Sequence, residues 1–421
     1  MIKHSHIAKN FWKQSRLYEL KKSDLLLVRH DNNCAYLYRG VVYSQIVDSV
    51  IDVARKSSID SVTIAKPFSK YYGDMAYNSP FIFNWSFFLI LLWSKFLQKT
   101  FGLRFSSKYR KKATVKFWRK ILMRVCPKVV IATQPCRYLC VAAKELGVKV
   151  YDYQHGVISK DHLWYGKKMP NEMSFEELPH GILCWDGNSA RSLNVWAKKR
   201  GVAVVVLGNP WVDRFLNEDP NDELVQEEIK QTNLDVSIKP NILVSLQWGL
   251  VDNYYSGSDF NGIACDALIK VIAKTHHKYN WLLRLHPVQM HGPDREYVRK
   301  KLNDLFGGME GVQWESISKV PLPLVLKKSQ LHITDMSTVV IEAAWLGVPS
   351  GILNPYLRPG ERLENLYKEE RDSGIAVLLN QNEAEIEFWI EENASKIFCP
   401  QQKGDINIGR VGFFLRDILK R

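Results

Sequence analysis

LHITDMSTVVIEAAWLGVPSGILNP, residues Leu331 to Pro355, is the stretch whose pattern decides the architecture. An apolar run leads into Thr334 and Asp335. Ser337 and Thr338 then open a segment with Val340, Ala343, Ala344 and Leu346 at helical spacing, and Gly347 and Pro349 close it before Gly351-Ile352-Leu353. The pattern predicts strand, turn, helix, turn, strand. Hydroxyls and unpaired backbone N–H groups at such a helix start suit an anionic group, since donors and dipole both favour negative charge. Glu342 lies about one turn further in, where a carboxylate can meet sugar hydroxyls. The competing reading is an ordinary N-cap with Glu342 solvated.

The same alternation extends upstream. In the second half, strands are expected at Ile242–Leu246, Trp281–Leu285 and Val312–Glu315, with helices at Gly262–His277, Pro293–Leu305 and Leu322–Lys328. In the first half, the strands are Asp24–His30, Ser61–Ala65, Lys128–Thr133, Val148–Tyr153, Ile182–Trp185 and Val202–Leu207. Val41–Lys56, Cys136–Leu146 and Asn188–Lys199 read as helices. Strands separated by helices of this length imply parallel pairing, so the expected class is α/β with two doubly wound, Rossmann-like domains facing a central cleft. The boundaries read as 1–215 for the first domain, 216–240 for a charged connection and 241–400 for the second domain. A helix within 401–421 is expected to cross back to the first domain.

Doubly wound sheets bind ligands outside the carboxyl ends of their strands, so chemistry is expected there. Gln154-His155-Gly156 falls at such an end: Gly156 permits close backbone approach, and the His155 imidazole can serve as general base or as donor to a phosphate. Asp161 and His162 follow within a few residues. Arg284-Leu285-His286-Pro287 repeats the arrangement in the second half, with Arg284 and His286 on one face of the strand and Pro287 fixing the turn. Beside Ser337 and Thr338 these two would clamp a phosphate. Asn209, in Gly208-Asn209-Pro210, closes the first half as a turn with some contact to the cleft, and Gln247 lies in a Gly-containing loop suited to cover phosphates.

Composition narrows the classes. The net charge of +14, from 58 basic and 44 acidic residues, is concentrated in one segment: no acidic residue lies between Asp74 and Glu145. The segment opens with PFIFNWSFFLILLWSKF, Pro80 to Phe96, interrupted by Asn84 and Ser86 and short of a membrane span. An apolar, aromatic run followed by a basic one predicts that 80–124 lies on an anionic membrane surface, the alternative being a buried helix followed by a solvated basic one. No nucleic-acid motif accompanies the charge, so nucleic acid is not an expected partner. The 7 cysteines are scattered without a CxxC pair, which predicts neither a disulfide framework nor a zinc site. The N-terminal basic residues lack a following apolar core, so no secretory signal is expected. Absence of GxxxxGK, GxGxxG, HExxH and a strand-flanked DxD argues against P-loop, classical dinucleotide, zinc hydrolase and metal-dependent transferase chemistry; no metal or cofactor is expected.

The order of these motifs, QHG after a first-domain strand, GNP at the junction, a strand ending in HP, then ST followed by EAAWLGVP, resembles the GT-B glycosyltransferases of bacterial capsule and lipopolysaccharide synthesis. Within that class it is similar to transferases using cytidine-nucleotide donors: Kdo transferases, polysialyltransferases and the glycerophosphate transferases of teichoic acid assembly. The resemblance covers roughly 128–355. It implies that His286, Ser337 and Thr338 contact the donor phosphate, that Glu342 holds donor hydroxyls, and that His155, with Asp161 behind it, serves the chemistry. It also implies a nucleotide-sugar donor, with CMP-Kdo favoured, a glycan or lipid-linked acceptor, and a cytoplasmic protein peripheral at the inner membrane. The chain lacks the acidic D/E-D/E-G motif of the sialyltransferases and the Trp before His-Gly of the glycerophosphate transferases. A sugar-nucleotide 2-epimerase, a CDP-alditol phosphotransferase and a non-catalytic assembly factor are the alternatives.

Overall fold

The computed structural model describes residues 12–34, 36–160, 162–232, 239–253, 255, 260, 262–292, 294–396 and 408–420. The chain divides into two compact units, Met1–Asp213 with Asp405–Arg421, and Arg214–Gly404.

The first unit is built on β1 (Leu25–Arg29), a hairpin of β2 (Tyr36–Tyr38) and β3 (Val41–Tyr43), then β4 (Ser61–Ala65), β5 (Val129–Ala132), β6 (Lys149–Tyr153), β7 (Gly181–Cys184) and β8 (Ala203–Val206). Its main sheet runs β4-β1-β5-β6-β7-β8, parallel throughout. Apart from the edge strand β8, these strands are buried on both faces, which is why they read as largely apolar runs in the sequence. The residues expected to open a helix at Val41 form the hairpin instead. Arg39 and Gly40 both have positive φ (48 and 81), the primed-turn geometry that matches strand twist, and the helix starts only at Val47. Arg29 holds this hairpin from beneath. Its guanidinium donates to Val42 O at 3.0 Å and Tyr77 O at 3.3 Å and pairs with the buried Asp48 carboxylate at 3.0 Å.

The second unit contains β9 (Asn241–Ser245), β10 (Asn280–Arg284), β11 (Val312–Gln313), β12 (Leu331–Thr334), β13 (Ser350–Ile352) and β14 (Ala376–Leu378). The parallel order is β11-β10-β9-β12-β13-β14, which in chain order is the 3-2-1-4-5-6 arrangement of dinucleotide-binding sheets. The opening stretch falls where predicted: β12, the helix Val339–Trp345, then β13. Its apolar positions Val340, Ala343 and Ala344 are buried. One helix, Glu223–Gln231, lies in what the sequence reads as the charged connection. It is capped by Asp222, whose carboxylate also takes both a 3.1 Å and a 2.6 Å bond from Arg214.

The helix Ile408–Lys420 belongs to the first unit. The Phe414 ring meets Tyr151 edge-on at 5.2 Å, Arg416 donates to Ser57 Oγ at 3.2 Å, and Lys128 donates to Leu419 O at 2.8 Å.

Candidate functional site

In the second unit the expected polar residues emerge where the strand order reverses, around β9 and β12; in the first unit the order reverses between β1 and β5, and the expected Gln154 and His155 follow β6, one strand further on. In the second unit, Ser245 of β9 is level with Arg284 of β10 and Thr334 of β12, so Gln247, His286 and the 335–337 turn leave the sheet side by side. A hydrogen-bond chain ties them together. Met336 N donates to Gln247 Oε1 at 2.6 Å, Gln289 Nε2 donates to Gln247 O at 3.2 Å, and His286 N donates to Gln289 Oε1 at 2.8 Å.

His286 is the N-cap of the short helix Pro287–His291, its Nδ1 accepting from Val288 N at 3.2 Å. Burial lowers its pKa, so the ring is held neutral. A neutral imidazole whose Nδ1 accepts carries its proton on Nε2, which makes the outer nitrogen a hydrogen-bond donor.

The start of the Val339–Trp345 helix differs from the expectation of several open N–H groups. Ser337 N donates to Thr334 Oγ1 at 3.3 Å, Val339 N to Ser337 Oγ at 3.4 Å, Val340 N to Ser337 O and Ile341 N to Thr338 O. The first turn is wound tightly and uses up its own donors. Among the described residues this leaves Thr338 N–H, of the run 336–341, without a partner.

Arg284 and Glu342 occupy different ground from that expected. Arg284 Nη1 donates to Ile317 O at 2.8 Å and Val320 O at 2.7 Å, anchoring the segment after β11. Burial pushes the Glu342 carboxyl up to about 7, and the nearby guanidinium pulls it back. Burial likewise brings Arg284 down to about 10, Glu342 opposing it. The two are a long-range charge pair beneath the site. Two acidic and aromatic groups that the motifs did not single out also stand here. Asp335 accepts from Tyr255 Oη and Asn354 Nδ2, both at 2.6 Å, and Tyr367 Oη donates to Met336 O at 2.7 Å. Below them the buried His332 bridges Ser350 Oγ and Ser245 Oγ at 2.9 and 3.0 Å, and burial lowers it to about 3.

In the first unit the strand ends of β1, β4, β5 and β6 bring together His30, Lys66, Gln134 and His155. His155 Nε2 lies 3.4 Å from Asn32 Nδ2, and its backbone N–H donates to Tyr165 Oη at 3.2 Å. His30 Nδ1 accepts from Asn32 N at 3.2 Å while its Nε2 faces Lys66 Nζ at 3.2 Å. Burial with Lys66 and His155 nearby lowers His30 to about 3, and burial lowers Lys66 as well. Two imidazoles and an amine thus share one strand-end surface. His30 and Lys66 carry no motif of their own; being the first residues after buried strands was the available signal.

The loop is held by Asp152, a buried carboxylate in β6. It accepts from Gln134 N at 2.8 Å, Trp164 Nε1 at 2.9 Å and Tyr165 Oη at 3.4 Å, and burial pushes it up to about 7 despite these bonds. Gly156 has φ 74 and open space where a side chain would point.

Three residues expected near an acceptor are committed to the loop itself. Gln154 is buried, its amide donating to Gly156 O and Ser189 Oγ at 2.9 Å each and accepting from Trp185 N at 2.8 Å. His162 caps the following turn, Nδ1 accepting from Trp164 N and Tyr165 N. Asn209 is buried and accepts from Trp211 N at 3.1 Å at the start of the Pro210–Asn217 helix. Strand-end polar residues are needed to satisfy turning backbone as much as to meet ligands. Asp161 lies outside the described residues.

No family model matches this chain, and no curated protein matches it in sequence. Solved structures do match over nearly its whole length. A UDP-GlcNAc 2-epimerase from Methanocaldococcus jannaschii superposes with a TM-score of 0.58 at 16% identity, covering 94% of this chain and 99% of that one. The enzyme of the same name from Neisseria meningitidis, solved bound to UDP-GlcNAc, gives 0.55 at 15% identity over 94% and 99%. The wall teichoic acid polymerase TagF gives 0.55 at 14% identity over 99% of this chain and 93% of that one. At such identities the likeness establishes the fold: two doubly wound parallel sheets of the GT-B type.

Proposed function

We propose that this protein is a GT-B glycosyltransferase that moves a sugar from a nucleotide donor to a glycan or lipid-linked acceptor in bacterial surface polysaccharide synthesis. The observation that carries the reading is the strand-order reversal of the second unit, where neutral His286 offers Nε2–H alongside Gln247, Ser337 and the Thr338 N–H. Fixed donors at that place suit the phosphate on which negative charge grows as the glycosidic bond to the leaving group breaks. Asp335 and Tyr367 hold the turn that presents them. Glu342, paired at long range with Arg284, steadies the floor of the site. In the first unit His155 takes the proton from the acceptor hydroxyl. The motif resemblance favours a CMP-sugar such as CMP-Kdo, whereas two structural neighbours are named as complexes with UDP-GlcNAc. A thermal-shift series with CMP, CDP, UDP and GDP decides between the donors: stabilisation by one nucleotide identifies the class. No stabilisation by any of the four removes the reading.

His155→Ala should lower kcat by about 100-fold or more while leaving donor affinity nearly unchanged, the signature of a lost general base. Pre-steady-state donor binding and steady-state rates measured on the same variant check this, and a pure loss of affinity would make His155 a binding residue.

A second reading is favoured by the neighbours themselves, since epimerases align over 94% of the chain. A sugar-nucleotide 2-epimerase would convert its donor in the absence of any acceptor, which a transferase does not. Incubating nucleotide sugar with and without acceptor therefore separates the two.

A further inference from the structure

The run Asn84–Val125 is two helices folded back on each other. Gly102, with φ 81 and ψ 173, leaves the helical region. Ser94 and Ser106 meet hydroxyl to hydroxyl at 2.8 Å, and Ser106 Oγ also donates to Ser94 O at 2.6 Å. Twelve residues of straight helix would separate them by about 18 Å. At the base of this hairpin the arms join the core: the Phe87 ring meets Phe117 at 5.1 Å and Trp118 at 5.7 Å. Further out they leave it. Over residues 91–110 only Ser94 and Ser106 are buried, with Leu97 and Tyr109 half-buried.

What the outer arms display is apolar and large. Leu92, Trp93, Phe96, Phe101, Leu103 and Phe105 are exposed, Leu103 at 71% and Phe101 at 65%. Trp93 and Phe96 pair at 5.7 Å and Phe101 and Phe105 at 5.3 Å, so the rings cluster without being covered. Among them stand Lys95, Lys99, Arg104, Lys108 and Arg110, and among the described residues no carboxylate pairs with these five. Successive helical residues point about 100° apart, so exposure at 91, 92 and 93 reaches most of the way round the arm. A rigid protein partner would cover one face. A fluid phase surrounds a projecting tip on all of them.

We propose that this hairpin inserts its tip into the surface layer of an anionic bilayer, with Phe101, Leu103 and Phe105 entering first and the five cations resting among the lipid phosphates. Arms that project by roughly ten residues, about 15 Å, reach the depth of about 5–10 Å at which amphipathic elements lie. The hairpin does not cross: no helix among the described residues is long and apolar enough to span a membrane. Insertion is independent of the transferase reading, because it concerns a surface of the first unit that needs no donor.

The test uses the full chain and vesicles of phosphatidylcholine with or without phosphatidylglycerol. Wild type should co-sediment with the anionic vesicles and not with the neutral ones. Replacing Phe101, Leu103 and Phe105 together by Ser should weaken binding by about tenfold or more, with far-ultraviolet circular dichroism and melting temperature unchanged, because these side chains are exposed. A polarity-sensitive dye on Leu103→Cys, in a background with Cys126, Cys136 and Cys399 replaced by Ser, should shift to the blue on binding and be quenched by shallow nitroxide lipids. Unaltered vesicle binding by the triple variant overturns the proposal, as does binding that salt reverses completely with no dye shift, which would be adsorption by charge alone. A wild-type dimer that the triple variant converts to monomer, with neither form binding vesicles, overturns it in favour of contact between copies.

Discussion

His286→Ala should lower turnover of the nucleotide donor by about 100- to 1,000-fold, the usual effect of removing one fixed donor from a site of developing negative charge. The same change removes an N-cap, because Nδ1 accepts from Val288 N at 3.2 Å, and that costs about 1 kcal/mol of stability. His286→Asn separates the two roles. An asparagine Oδ1 can cap Val288 N, so the variant should melt close to wild type, yet its shorter side chain cannot place a donor where Nε2–H stands. Steady-state kinetics and thermal melts of both variants provide the check; unchanged kinetics in His286→Ala would remove this residue from the site. The working form here is the neutral ring. Burial lowers the pKa, so Nδ1 keeps accepting from Val288 N to lower pH than an exposed imidazole would allow, while Nε2–H is a donor in either form.

Asp152→Ala should destabilise the first unit by about 3–5 kcal/mol, measured by urea unfolding, because Gln134 N–H, Trp164 Nε1–H and Tyr165 O–H lose their common acceptor. Activity should fall with it. Tyr165 Oη accepts the His155 backbone N–H at 3.2 Å, so slackening Tyr165 loosens the proposed base. The pH dependence has a definite sign. Burial raises the Asp152 carboxyl from its ordinary 3.8 to about 7, so the folded state holds this proton more tightly than the unfolded chain does. Its contribution is therefore present in full below about pH 4 and lost as pH rises through 7. The stability difference between wild type and Asp152→Asn, which does not titrate, should shrink across that interval and be flat above it. A difference that grows with rising pH would contradict the assignment.

Most strands were legible because they are short, mostly aliphatic runs, buried at the middle of each sheet and closed by a turn residue. What escaped was either too short or turned on a backbone conformation. β14 is three residues after an irregular stretch, and β2 and β3 hide within a segment whose apolar spacing also suits a helix. Gly102 looks like any helical glycine until its φ of 81 is known. In the site, position was legible and role was not. His286 and His155 stand at strand ends as their motifs suggest. Gln154 and Asn209 stand there too, yet spend their hydrogen bonds on holding turns, and nothing in a one-dimensional pattern separates the two uses. Arg284 with Glu342, His30 with Lys66, and Asp152 with Trp164 are pairings of residues distant along the chain or facing one another only through the sheet's order. Such pairs leave no spacing to read.

The return of the Ile408–Lys420 helix to the first unit has a consequence for synthesis. The chain departs from that unit after Asp213 and adds the whole of the second before this helix appears. The unit whose translation begins first is therefore completed only after the other has emerged from the ribosome, and until then the surface around Tyr151 and Ser57 waits for its cover. The second unit, encoded as one uninterrupted piece, can fold during that interval, leaving the earlier-made unit to close last.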